Sequence, residues 1–112
     1  MTNTARFMSA TTLIGDGIRN PQNEALGDLK EIMMDTASGK IAYAVVSYGG
    51  ILGLGDKLFA VPWSAFSIDH ENHKLVLNVS KERLKDAPGF DKDNWPNFAD
   101  PAFTSSVGNW YQ

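Results

Sequence analysis

Along residues 41–46, IAYAVV, within the run 40–48, apolar side chains fall on both alternating faces, a pattern that suits a β-strand covered on both sides. Residues 29–35 carry a second strand pattern, and between them Thr36-Ala37-Ser38-Gly39 supplies at Gly39 the positive φ of a tight turn. The two runs predict a β-hairpin. Ahead of it, residues 11–14 (TTLI) are apolar and β-branched, stop at Gly15-Asp16-Gly17 and read as a first strand, with residues 20–23 (NPQN) as the next turn. Beyond it, residues 57–69 predict another strand, with Phe59, Val61 and Trp63 on one face and Leu58, Ala60 and Phe66 nearer the other. Pro62 interrupts this strand; without an N–H to donate, it belongs at an edge or a bulge. The polar turn at residues 69–73 leads to Leu75, Leu77 and Val79, alternating with Val76, Asn78 and Ser80, which complete a second hairpin. Ser80 can cap a short helix over residues 81–87, halted by Pro88-Gly89. Trp63 and Phe66 are expected in the core, and residues 90–112 have no clear periodicity.

The pattern is that of an all-β chain with one short helix, and its 112 residues suffice for a single core. An apolar share of 43% against 21% charged residues places it among ordinary globular proteins. With no cysteine there are no disulfides, thiolate metal sites or cysteine nucleophiles, which suits a reducing compartment. The first residues lack the apolar core of a secretory signal, and the nearly uncharged stretch 41–55 is too short and glycine-rich to span a bilayer. A cytoplasmic protein without membrane insertion is therefore expected. The net charge of −3, with cations and acids interspersed, argues against general nucleic-acid binding.

No pattern of catalytic chemistry stands out. His70 and His73 are spaced one residue short of the HExxH zinc pattern, and they sit in a turn where that pattern needs a helix. Gly49, Gly50, Gly53 and Gly55 lack both the Gly-Lys-Ser/Thr ending of a phosphate loop and the GxGxxG register, so they read as conformational glycines. Asp16, Glu24, Asp28, Glu31 and Asp35 are scattered over turns and strand edges, with no spacing that makes an acid/base pair. The expectation is a protein that is not an enzyme and carries neither cofactor nor metal. A small ligand-binding or enzymatic barrel using His70 and His73 is the rival.

Three segments carry a family resemblance: ALGDLKEI at residues 25–32, the run 35–43 with its GKIAY, and GGILGLGDK at 49–57 leading to Val61-Pro62-Trp63. Together they resemble the PRC-barrel family, named for the H subunit of the photosynthetic reaction centre, over residues 9–89. The resemblance implies a small SH3-like barrel of about six antiparallel strands, used as a non-catalytic docking module. Its relatives include the reaction-centre subunit and a ribosome-maturation factor with a separate RNA-associated domain. An accessory role in a photosynthetic or other membrane electron-transfer complex, or in RNA processing, therefore rests on resemblance alone. This chain shows neither the membrane helix of the first nor the second domain of the other, and no motif places the family's proton-conducting carboxylates. A stand-alone member is expected.

Residues 1–8 then form an extension and residues 90–112 a tail. The tail sets Phe90, Trp95, Phe98, Phe103, Trp110 and Tyr111 among Pro, Asp and Asn, more aromatic than a disordered segment. It is expected either to wrap its own barrel or to offer Trp95, Phe98, Phe103, Trp110 and Tyr111 as anchors to another chain. Exchange of tails between two copies would satisfy both. The sequence thus predicts a docking protein of unknown protein partner that self-associates, a dimer being favoured.

Overall fold

The computed structural model describes residues 7–48, 57–69, 71–72 and 74–111. Gly49, Gly50, Gly53, Gly55, His70 and His73 lie outside the described residues, and with them the readings placed there.

The chain is mostly β. Strands β1 (Gly17–Arg19), β2 (Ala25–Asp35), β3 (Lys40–Tyr48), β4 (Lys57–Pro62), β5 (Phe66–Asp69), β6 (Lys74–Leu77) and β7 (Gly89–Asp91) form one sheet in the order β5-β6-β1-β2-β3-β4-β7. The helices are α1 (Ala10–Leu13), α2 (Lys81–Leu84) and α3 (Pro101–Trp110), and a 3-10 turn at Trp63–Ala65 separates β4 from β5. The described residues hold seven strands against the expected six or so, and β1 meets β6 in parallel through Arg19 and Val76, where an all-antiparallel set was expected. The edge strands β5 and β7 are not paired with each other, so hydrogen bonds do not close the sheet. It nonetheless curls, because Ile18, Leu29, Val46, Phe59 and Leu77, from five different strands, share one buried cluster.

The predicted hairpin is the spine of the sheet. Gly39 takes φ +76° and its N–H donates to the Asp35 carbonyl at 2.8 Å, closing the turn between β2 and β3. Register shifts fall between Leu29 and Glu31 and between Met33 and Met34, and such bulges bend a ladder. At Gly27 the two strands approach so closely that a Cβ would overlap the Ser47 carbonyl oxygen, and φ there is +147°. Pro62 is the last residue of β4, paired with Tyr43, while β7 reaches only as far as Phe59 on the other side. Its missing N–H therefore costs no inter-strand bond to β7.

The single strand expected over residues 57–69 is broken by the 3-10 turn at Trp63–Ala65, and two further elements correct the sequence reading. The TTLI run is not a strand: it falls in α1 and the residue after it, where the Thr12 and Leu13 N–H groups both donate to the Ser9 carbonyl at 3.1 Å. So short a run holds no period, and a single turn buries Leu13 while satisfying its own backbone. The first strand lies instead at Gly17–Arg19, starting on the last residue of the expected glycine turn and running to the next turn, with only Ile18 buried. The tail, in turn, is not without regular structure, since it holds Phe90 and Asp91 of β7 and the ten-residue α3. Ser80 does cap a helix: its Oγ accepts from the Arg83 N–H at 3.1 Å, though α2 ends at Leu84. Trp63 and Phe66 are half-buried on the rim of the core, their rings 5.9 Å apart.

One polar knot ties the turn after β1 to the start of α2. Asn20, only 3% exposed, donates through Nδ2 to the Val79 carbonyl at 3.1 Å and to Glu24 Oε1 at 2.6 Å, while its Oδ1 accepts from the Glu24 N–H at 2.8 Å. Asn20→Ala should cost about 1–3 kcal/mol, because the Val79 carbonyl and Glu24 N–H lose their partner; urea unfolding measures it. Glu24 Oε1 also accepts from the Lys81 N–H at 3.4 Å. The Asn20 amide first, then this N–H, lower the Glu24 carboxyl below the ordinary glutamate range. A lowered folded-state value means that the contribution is present above the unfolded-state pKa and is lost as pH falls through the folded one. Unfolding curves of wild type and Glu24→Gln should therefore differ most at neutral pH, begin to draw together at about pH 4, the ordinary glutamate range, and merge only below the lowered folded-state value.

Candidate docking surface

The face of the sheet turned away from the core cluster is also apolar. Val45, Leu58 and Ala60 are at most 1% exposed yet stand apart from that cluster, and the register sets Val45 opposite Ala60 and Ser47 opposite Leu58. This is the second cover that the two-sided pattern of β3 requires, and the tail supplies it. β7 pairs with β4 through Gly89, Phe90 and Asp91. Gly89 is needed there, because a Cβ would stand 2.9 Å from the Leu58 carbonyl oxygen. The chain then crosses to α3, which starts with Asp100 Oδ1 accepting from the Ala102 N–H at 3.0 Å and Pro101 in the first turn. α3 lies near β4, and its Val107 is 1% exposed.

Aromatic rings join tail to sheet. Tyr43 of β3 meets Phe98 at 5.5 Å and Phe103 at 6.0 Å, and these two lie 5.2 Å from each other. Burial raises the Tyr43 phenol above its usual range. At the far end, Trp110 and Tyr111 pack on the core cluster, with the Arg83 guanidinium 4.8 Å from the Trp110 ring and its Nη2 3.4 Å from the Trp110 carbonyl. Burial pushes the Tyr111 phenol up as well.

Of the tail aromatics singled out as partner anchors, Phe98, Phe103, Trp110 and Tyr111 are thus half-buried against their own chain, and Trp95 is 40% exposed. Trp95 is held in place: its indole N–H donates to the Lys92 carbonyl at 2.7 Å, and its ring lies 5.1 Å from Phe90 and 6.2 Å from Phe98. The result is a preset aromatic platform at the surface. Sequence reasoning missed Tyr43 and Val107 as anchors of the tail and Arg83 as its latch; the apolar outer face of β3 was the available signal.

Two of the concavities elsewhere differ in character. A polar cleft of about 580 Å³ runs between β1 and the β5–β6 hairpin, lined by Arg19, Asn20, Asp69, Asn72 and Lys74 among others. An apolar groove of about 190 Å³ is lined by Met8, Leu13, Ile32, Ile41, Trp63 and Ile68 with their neighbours. Among the described residues no three His, Cys, Asp or Glu side chains converge as metal ligands, and no helix is long and apolar enough to cross a membrane.

The curled sheet with its short helices agrees with what the sequence motifs implied. The family model of the PRC-barrel domain matches residues 5–84, which takes in α1 to α2 and stops before β7 and α3. No curated protein sequence matches the chain. With most of its length matched by that one model, the chain belongs to the PRC-barrel family.

Proposed function

We propose that the protein is a non-catalytic docking module, in which the curled sheet is a scaffold and the Trp95 platform is the contact surface. The observation that carries this reading is the platform itself: a large aromatic ring 40% exposed, fixed by a hydrogen bond and by two neighbouring rings. Exposed, immobilised aromatics give contact area at little entropic cost, which is why Trp and Tyr dominate interface hot spots. Self-association belongs to the same proposal, supported by Phe7, Met34 and Ile68, exposed by 82%, 57% and 39%, and by the apolar groove that Ile68 helps to line.

The test is capture of a partner by the full-length chain, repeated with Trp95→Ala. Deleting the tail would be a poor substitute, since it would also uncover Val45, Leu58 and Ala60. The expected result is a partner that wild type binds and Trp95→Ala loses by about 2 kcal/mol, roughly thirtyfold, while the variant still melts cooperatively. Equal binding by both would remove the platform from the reading, and a concentration-independent monomer in sedimentation velocity would remove self-association.

A second reading, a small-ligand barrel, is favoured by the polar cleft beside Arg19 and Lys74. Stabilisation by a small ligand that Lys74→Ala abolishes would promote it over docking.

A further inference from the structure

The charge of this protein is unevenly placed. Over residues 1–85 nine acids balance nine Lys and Arg, whereas residues 86–112 hold Asp86, Asp91, Asp93 and Asp100 against Lys92 alone. The whole net charge of −3 therefore falls on the segment that carries the platform. Asp91 and Asp93 are exposed, flank Lys92, whose carbonyl fixes Trp95, and their carboxylates make no hydrogen bond or ion pair among the described residues. Lys57 stands opposite Asp91 in the β4–β7 register, but its ammonium is engaged elsewhere, donating to the Lys85 carbonyl at 3.0 Å and lying 5.0 Å from the Phe59 ring. Asp100 is occupied in capping α3.

We propose that the platform takes a cationic peptide segment, an Arg or Lys side chain lying on the Trp95 ring with Asp91 and Asp93 as its counter-charges. The inference rests on the docking reading and adds to it the chemistry of the partner. An exposed indole face attracts a guanidinium or ammonium through its quadrupole, and unpaired carboxylates nearby add long-range attraction and steering. The chain already uses this contact internally, where Arg83 lies over Trp110. The same charge repels phosphate backbones and anionic lipid surfaces, which leaves a basic protein segment as the complementary occupant.

The experiment titrates a short amidated peptide of alternating Gly and Arg into isotope-labelled full-length protein and follows the indole N–H resonance of Trp95, assigned by its loss in Trp95→Phe. Expected is a saturable shift that weakens with salt, with affinity at least about fivefold lower in both Trp95→Ala and the Asp91→Asn/Asp93→Asn pair. In Trp95→Ala, backbone resonances of residues 91–95 report binding. The matching Gly-Glu peptide should leave the resonance in place. Equal shifts with both peptides, affinity untouched by either variant, or no shift at all would overturn the cationic assignment. If Trp95→Ala still abolishes partner capture, the docking reading survives that failure; if capture ignores Trp95→Ala, the docking reading falls whatever the peptide does.

Discussion

Gly27→Ala should cost the protein at least about 3 kcal/mol and lower its thermal midpoint by about 10 °C or more. Two penalties coincide at this position. The backbone sits at φ +147°, which side chains rarely adopt, and the new Cβ would overlap the Ser47 carbonyl oxygen and crowd Tyr48 Cα, atoms of a main chain that cannot rotate away. Relief would require separating β2 from β3, the most extensive pairing in the sheet. Such a loss is a large share of the roughly 5–15 kcal/mol that holds a small domain together. Gly39→Ala is the control: φ is +76°, but nothing stands within 4 Å of the added Cβ, so about 1 kcal/mol is expected from the backbone alone. Urea unfolding of the two variants should rank them in that order, and a Gly27→Ala midpoint equal to wild type would contradict so close an approach of β2 and β3.

Val107→Asp should detach the tail. Val107 is the buried residue of α3, and an unpaired carboxylate there must either charge in an apolar layer or draw α3 away into water. The expected cost is about 3 kcal/mol or more, with loss of the helical signal of α3 and new protease cleavage between β7 and α3. The core side of the sheet does not depend on α3 alone, because Phe59, Leu29 and Leu77 are buried in the interior cluster. A cooperative transition of the sheet should therefore persist at lower temperature. Melting and protease resistance equal to wild type would mean that Val107 does not secure the outer layer.

The parts of the fold legible in the sequence are those set by local chemistry. Gly39 marked the hairpin turn because a positive φ was needed there, and the two-sided apolar pattern of β3 announced an outer cover before its identity was known. α3 was hidden for a physical reason: PAFTSSVGNW buries only Val107 fully and places small polar residues around it, so no apolar stripe repeats. Its start was nonetheless written in Asp100-Pro101, a capping acid followed by a first-turn proline. Residues 11–14 misled because β-branched residues favour strands on average, while the fold needed only Leu13 inside. Asn20 looked like part of a turn; its partner Val79 lies 59 residues away and no local rule joins them. Likewise the tail aromatics were visible as a group, but their division into anchors and an exposed Trp95 depends on how the tail crosses the sheet.

The proposed docking surface requires that residues 90–111 fold on the sheet of their own chain. Nuclear Overhauser contacts between Tyr43 and Phe98, recorded on a mixture of labelled and unlabelled full-length protein with filters that separate intrachain from interchain transfer, test this directly. Contacts within one chain, present at all protein concentrations, are the predicted result. Contacts appearing only between chains would mean that the tail completes a neighbour's sheet, and Trp95 would then belong to an assembly interface and not to a free platform.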